Sequence, residues 1–595
     1  MSEASLGYAR FGAVPVGNGR TRFCVWAPSS REAQIVFGDR DELAMNPEPG
    51  GWFCAESDCA PGTTYQYRFD GNEPVPDPAS RAQQGGVDGP SMVVDPSSYC
   101  WEQSGWRGRP WNETVIYELH AGCLGGYVGV RRILGRLVDL GITAIELMPL
   151  AESPGRRNWG YDGVLPFAPN SAYGSLDELK ELIDAAHGCG LMVFLDVVYN
   201  HFGPQGNHLA SYADEFFRDD VTTPWGRAID FRRDEVREFY IANALYWLEE
   251  YRFDGLRLDA VHAIAPNNWL PDLASRVRAG VSPGRHVHLV VENDANDADL
   301  LQHGFDAQWN DDFHHALHVM LTGEHESYYR DYARAPAAAL ARCLADGFAY
   351  QGEYSIHRGA TRGQPSRALA PVRFVSFLQN HDQVGNRACG ERLTMLANPD
   401  ALHAATALLL LAPSIPLLWM GEEWDSRTPF FYFTDYSGPL AEAVREGRRR
   451  EFAAFALFRD PQQRQAIPDP NDEETFTRSI PDFGAATQVE GACALARCRE
   501  LLAIRRREII PFLDGAQSIG ARVLEDVALT AGWRLGDARV LTIWVNLGPD
   551  DVSFDPAGPN DALYQTTPGV DAALASGTLP AHSLLASLSP SNRDV

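Results

Sequence analysis

The chain has 595 residues, too many for one hydrophobic core, so roughly two to four domains are expected. Its 45% hydrophobic and 22% charged residues are those of an ordinary globular protein and exclude the disordered, collagen-like and disulfide-miniprotein classes. A formal charge of −28, from 51 Lys and Arg against 79 Asp and Glu, repels phosphate backbones and anionic lipid, so neither nucleic acid nor a membrane is an expected partner and a neutral ligand stays open.

Residues 1–12 show no basic segment leading into an apolar one, so no secretory signal is read there. Residues 1–105 read as a small β-sandwich. The runs at 22–27, 33–37 and 64–69 are β-branched or aromatic and separated by Gly and Pro turns. The Pro- and Gly-containing stretch 77–95 reads as a linker or domain edge.

Over 106–515 short apolar runs alternate with helical patterns. The runs lie at 115–120, 144–150, 191–201, 253–260, 288–293, 307–311, 373–382 and 415–421. Near-continuous apolar strands are what a parallel sheet covered by helices requires. Ser175 with Glu178 forms a capping-box pattern, and Gly188 and Gly190 a stop, which predicts a helix over 176–187. Val236, Phe239, Tyr240, Trp247, Leu248 and Tyr251 recur at helical spacing and predict a second over 235–251. The alternation predicts a (β/α)8 barrel with insertions. A doubly wound sheet is the runner-up, but no glycine-rich dinucleotide loop follows any strand.

The apolar stretch 404–420 contains Pro413 and Pro416, is too short to span a bilayer, and reads as buried core. Periodicity does not resolve 424–490. In 516–595 two strand-like runs flank Gly536-Asp537 as a hairpin, which predicts a C-terminal β-sandwich. The expected whole is therefore a multidomain α/β chain, a barrel between two β-domains. Arginine runs at 131–132, 448–450 and 505–507 are read as solvated helix faces. Ten scattered cysteines lack zinc-ligand pairs and are read as reduced thiols packed as small hydrophobes in a cytoplasmic protein, with no metal and no cofactor.

In such a barrel the active site lies at the C-terminal ends of the strands. Those ends carry Asp196, Asn200 and His201, then Arg257, Asp259 and His262, then Glu292, then His381 and Asp382. Carboxylates ending three separate apolar runs are costly to bury, and a pair of them facing a sugar bond is the apparatus of glycoside hydrolysis. Arg257 shares a strand face with Asp259 and would hold it ionised as a nucleophile. Glu292 follows a mostly apolar run, which suits a proton donor. Asp382 with His381 would bind sugar hydroxyls. Asp196 is read as a carboxylate orienting either Arg257 or the backbone of its own segment, and Asn200 as a backbone-orienting amide.

The segments 196–201 (DVVYNH), 255–262 (GLRLDAVH), 290–293 (VVEN) and 377–382 (FLQNHD) resemble the four ordered signature regions of the α-amylase superfamily. The resemblance implies a retaining double displacement, with Asp259 as nucleophile, Glu292 as general acid/base and Asp382 as transition-state stabiliser. His201, Arg257 and His381 would line the −1 sugar site.

A narrower match spans most of the chain. It rests on 117–120 (YELH), 144–152 (AIELMPLAE), 156–163 (RRNWGYDG), 166–169 (PFAP), 307–315 (AQWNDDFHH), 380–387 (NHDQVGNR) and 420–424 (MGEEW). These are similar to the maltooligosyltrehalose trehalohydrolase family. The resemblance implies hydrolysis of the α-1,4 bond beside a terminal trehalose, with maltooligosyltrehalose as substrate, trehalose as product and maltooligosyltrehalose synthase as pathway companion. Tyr161, in a Gly- and Arg-rich loop after the second strand, is read as a sugar-stacking platform, and the resemblance assigns substrate contacts to Leu258, Ala260, Val261, His262, Trp309, Asp311, Asp312, Phe313, His314, His315, Gln383, Val384, Gly385 and Asn386. Shorter loops after His120 and before 235, and Asn293 and Ala295 after the acid, depart from the pattern. Two other readings stay open: a branching transglycosylase that passes the glycosyl unit to a glucan hydroxyl, and a non-catalytic glucan-binding barrel.

Overall fold

The computed structural model describes residues 10–38, 42–223, 226–266, 268–454, 458, 460–554 and 562–590. Residues 1–9, most of the stretch read for a signal, lie outside them. Among the described residues, no helix is long and apolar enough to cross a membrane.

The first hundred residues form two four-stranded antiparallel sheets. One orders Gly12–Gly17, Arg20–Trp26, Trp52–Asp58 and Asn46–Glu48; the other orders Leu43–Ala44, Ala33–Phe37, Thr64–Phe69 and Ser91–Met92. Phe23 packs edge-on against Phe37 and Tyr65 between them. The stretch 77–95, read as a linker or domain edge, is packed as an edge of this unit. Asp77 is fully buried and accepts from Tyr65 Oη at 2.6 Å, Tyr67 Oη at 3.3 Å and Ala79 N at 2.8 Å. Its prolines and glycines make turns around a polar core group, not a free tether. Cys24 and Cys54 face each other across paired strands and are joined by a disulfide, which corrects the all-reduced reading. Cys123, Cys343 and Cys498 are buried thiols, whereas Cys100, Cys189 and Cys493 are exposed.

Eight parallel strands then close a barrel: β1 (Ile116–Leu119), β2 (Ala144–Leu147), β3 (Met192–Val197), β4 (Gly255–Leu258), β5 (His288–Val291), β6 (Ala307–Trp309), β7 (Phe374–Phe377) and β8 (Ile415–Trp419). Every residue in them is buried, because helices cover the outside and side chains fill the inside. Pairing of Leu417 with Ile116 closes the ring.

The predicted capping box is present, Ser175 Oγ accepting from Glu178 N ahead of the helix Leu176–Gly188. The second predicted helix runs Asp234–Leu245 and finishes in a wider turn, Tyr246–Glu250, with its aromatic stripe buried. The alternation breaks once. Between β5 and β6 the chain makes only the short turn Leu300–Gln302, since Asn293 and Asp297 side chains bond the backbone N–H groups of Ala295 and Asp299 instead of letting a helix form.

Past the barrel, the segment that periodicity left open folds back over the loop after β2. Trp159 Nε1 donates to Phe431 O at 2.9 Å, and Arg157 pairs with Asp435. A five-stranded antiparallel sheet follows, ordered Gln517–Glu525, Ala528–Arg534, Val540–Asn546, Ser583–Ser589 and Ala562–Gln565, with Val552–Ser553 pairing with Thr578–Leu579. The helix Pro399–Leu411 packs on two of its strands. Two arginines read as solvated are buried instead. Arg448 donates to Gly385 O and Arg387 O, and Arg505 to Leu410 O and Ser414 O at the end of the helix Pro399–Leu411. Bare carbonyls at chain turns and helix ends make such sites for a guanidinium.

Candidate active site

Arg257 sits in β4 with no exposed surface, at the hub of the C-terminal strand ends. Its Nη1 donates to Asp196 Oδ2 at 2.6 Å and to Asp259 Oδ1 at 2.8 Å, and its Nη2 lies 3.3 Å from Glu292 Oε2. The guanidinium lies over the Trp309 ring, 4.2 Å from its centroid. One fixed cation thus sets carboxyl groups from β3, β4 and β5 side by side.

Each carboxyl has further anchors. Asn200 Nδ2 donates to Asp259 Oδ2 at 2.8 Å and to Asp259 O at 3.2 Å, which is the orienting amide expected from the sequence. Ala260 takes a left-handed backbone, φ 41°, unusual for a residue with a Cβ, and its N–H donates to Glu292 Oε2 at 2.7 Å. Asp382 stands in the first turn of the helix His381–Gly385, whose cap Asn380 accepts from Gln383 N, and it accepts from Asn386 Nδ2 at 3.0 Å.

Access separates these groups. The Asp259, Glu292 and Asp382 side chains keep 11%, 15% and 40% exposure, whereas Asp196 keeps 1%. Burial pushes the Glu292 carboxyl above its ordinary range, with Arg257 working against the rise and Asp259 adding to it. Asp311 is pushed up to about 8 by burial and by the nearby Glu292 charge. Burial alone would lower His381, but the Asp382 and Glu118 carboxylates outweigh it and push that imidazole up to about 9.

Tyr161 and His201 lie beside the carboxyl set. Tyr161 Oη donates to Asp196 Oδ2 at 2.6 Å and lies 2.8 Å from His381 Nε2, and His201 Nε2 lies 2.9 Å from Tyr161 O. His315 is half-buried among the rings of Tyr328, Tyr329 and Tyr332, while His262 and Asn386 are exposed and Gln383 half-buried. Others named from the sequence are packed away: Leu258, Val261, Trp309, Phe313 and Val384 are buried. His314 is bonded to Leu378 O at 2.6 Å. Asp312 has no exposed surface and accepts from Asn296, Tyr332, Ala349, Tyr350 and Arg362. Gly385 packs flat against Trp159, where a Cβ would lie 2.1 Å from Cζ2.

The sequence reading missed Glu118 and Glu146, which point into the barrel beneath this set. A charge inside a strand buried on both faces was the available signal. Among the described residues, no group of three or more His, Cys, Asp or Glu side chains is arranged to hold a metal ion.

Comparison with known proteins agrees with this architecture. A model of the α-amylase catalytic domain matches residues 96–225, carbohydrate-binding module 48 (the isoamylase N-terminal domain) matches 10–96, and a domain of unknown function, DUF3459, matches 516–585. A crystal structure of a Salmonella typhimurium protein described as an α-amylase superposes with TM-score 0.91 at 42% identity, covering 97% of this chain and 99% of that one. With the closed barrel, these matches make the chain a glycoside hydrolase of the α-amylase superfamily. The chain is 40% identical over 518 residues to a malto-oligosyltrehalose trehalohydrolase of Deinococcus radiodurans, covering 85% of this chain and 84% of that protein. It is also 40% identical over 572 residues to one from Rhizobium sp. strain M-11, covering 92% and 94%. It belongs to the malto-oligosyltrehalose trehalohydrolase family.

Proposed function

We propose that this enzyme hydrolyses the α-1,4 bond joining a terminal trehalose to a maltooligosyl chain, releasing trehalose by a retaining double displacement. The observation that carries the reading is the pair of part-exposed carboxyls, Asp259 and Glu292, on the two terminal nitrogens of one buried guanidinium. A carboxylate attacks and a carboxylic acid beside it protonates the leaving oxygen, which is the division of labour such hydrolysis needs.

Asp259, oriented by Arg257 and Asn200, attacks the anomeric carbon as the glycosidic bond breaks. Glu292, whose carboxyl burial pushes above its ordinary range, gives its proton to the departing trehalose oxygen. The glycosyl–Asp259 ester is then hydrolysed: the Glu292 carboxylate takes a proton from water, the water oxygen bonds to the anomeric carbon, and the Asp259 carboxylate departs. Asp382 holds hydroxyls of the sugar as its ring flattens. Tyr161, His201 and His381 line that sugar, and Asp311, His315 and Gln383 lie on the leaving-group side. Leu258, Val261, Phe313, Asp312, His314 and Val384 support this wall from behind. The three domains divide at about 105 and 515. The setting is trehalose biosynthesis in the cytoplasm, with a synthase supplying the substrate; the Cys24–Cys54 bond sits against a reducing compartment.

Incubation with maltotriosyltrehalose and, separately, with maltopentaose tests the reading. Preferential release of trehalose supports it. New α-1,6 linkages in amylose without trehalose release would replace it with the branching reading.

A further inference from the structure

The mechanism above leaves unused the carboxyl groups buried beneath the sugar site. Glu118 on β1 and Glu146 on β2 are register partners, side by side inside the barrel, and both are at most 1% exposed. Glu146 makes no hydrogen bond through either carboxyl oxygen, and burial, with the neighbouring Glu118 and Asp196 charges, raises its pKa well above the ordinary range. Glu118 differs. Its Oε1 accepts from His381 Nδ1 and its Oε2 from His381 N at 3.1 Å, so both oxygens grip one residue 263 positions away in the chain.

The far edge of the same imidazole has a defined polarity. Asp196 Oδ2 accepts from Arg257 Nη1 and is therefore an acceptor toward Tyr161, whose hydroxyl proton it takes. The Tyr161 oxygen can then only accept from His381 Nε2, at 2.8 Å. Both ring nitrogens of His381 are donors, one toward Glu118 and one toward Tyr161, with Asp382 Oδ1 also 3.5 Å from Nε2. A doubly donating histidine is an imidazolium.

We propose that Glu118 is a positioning residue for the reaction: its buried carboxylate keeps His381 doubly protonated, with Nε2–H held on Tyr161 beside the sugar site, and so sets the upper pH limit of turnover. This rests on the placement of His381 at the sugar site under the proposed function. The charged and titratable groups facing His381 are Glu118 and His120 from β1 and the residue after it, Glu146 from β2, Tyr161 from the loop after β2, Asp196 from β3, Arg257 from β4 and Asp382 from its own helix. Trp159, Trp309 and Trp419 wall it with rings. Among the two carboxylates that raise its pKa against burial, only Glu118 is itself sealed from water; Asp382 is 40% exposed.

The test is histidine-selective 15N NMR of the full chain, with His381 assigned by its loss in His381→Gln, compared between the parent and Glu118→Gln from pH 5 to 10. In the parent, His381 should remain doubly protonated through pH 8. In Glu118→Gln it should lose a proton at least one pH unit lower, and the alkaline limb of kcat/KM for trehalose release should move down with it. Glu118→Asp, which keeps the charge on a shorter arm, should recover part of both shifts. Coincident His381 titrations in parent and variant would overturn the proposal, whatever the absolute rate. Should Glu118→Gln fail to fold, the same comparison is made with Glu118→Asp, where a smaller shift is expected and no shift overturns it. The titration needs no substrate, so a failure of the trehalohydrolase reading shows separately, as a parent that releases no trehalose.

Discussion

Two buried arginines near the barrel mouth hold two carboxylate clusters, and the clusters differ in what they leave open. Around Arg257, the Asp259 and Glu292 side chains keep 11% and 15% exposure. Around Arg362, Asp312 keeps none and its two oxygens take five protein donors, Tyr332 and Arg362 on one side and Asn296, Ala349 and Tyr350 on the other. Asp294 completes that second cluster from the rim, 3.2 Å from Arg362. The same ingredients give a pair with open surface in one place and a saturated clamp in the other. The difference lies in lone pairs left for a ligand and in access to it, which burial and hydrogen-bond saturation decide.

The sharpest way to break this contrast is at Glu292. Glu292→Gln should keep substrate binding within a few-fold while lowering kcat by about 10²–10⁴, the range of a lost general acid. Turnover within tenfold of the parent would remove Glu292 from its role. The opposite signature is expected at Asp312. Asp312→Ala strands Arg362 in the interior and should cost about 3–5 kcal/mol of stability, read by denaturant unfolding, with kcat per folded molecule nearly unchanged. A collapsed kcat at unchanged stability would erase the distinction between the clusters.

Smaller effects probe the walls. Gly385→Ala drives a Cβ into the Trp159 ring, 2.1 Å from Cζ2, and should cost roughly 1–3 kcal/mol with a raised KM, since Trp159 backs Tyr161 and His381. The smallest effect lies outside both clusters, at Asp77 in the N-terminal sandwich. Burial pushes its carboxyl up to about 6, against hydrogen bonds that lower it. The folded state therefore binds the proton more tightly than the unfolded chain. Its contribution is fully present below about pH 4 and is lost as pH rises through about 6. Asp77→Asn should flatten that part of the Tm profile between pH 4 and 6. An unchanged slope would show that the decline originates elsewhere.

Much of the scaffold was legible before the structure. Each of the eight apolar runs contains a barrel strand, because a strand buried on both faces must be apolar along its length and its neighbours in sequence must be turns or amphipathic helices. Asp259, Glu292 and Asp382 stood out as charges ending such runs. The clusters themselves were not legible. Asp312 was grouped with the substrate contacts because the family resemblance covers the whole segment 311–315. Only the fold shows that this position points to Arg362, 50 residues on. Glu118 sat in plain view as a charge within an apolar strand, yet its partner follows β7, two strands round the closed ring and 263 positions on in the chain. At 77–95, read as a linker or domain edge, the same limit holds: Pro and Gly mark turns, and whether turns tether or pack depends on a buried group such as Asp77 finding its hydroxyls.

The run of eight buried strands, the capped helix Leu176–Gly188 and the C-terminal hairpin came from the amino-acid sequence by itself, since each is marked by residues within a few positions of one another. Which carboxyls share a guanidinium, which stay open to a sugar, and which imidazole holds two protons were decided only when the barrel closed β8 onto β1. Those properties arise from dielectric and hydrogen-bond partners supplied by segments tens to hundreds of residues apart, and local sequence carries no record of who those partners will be.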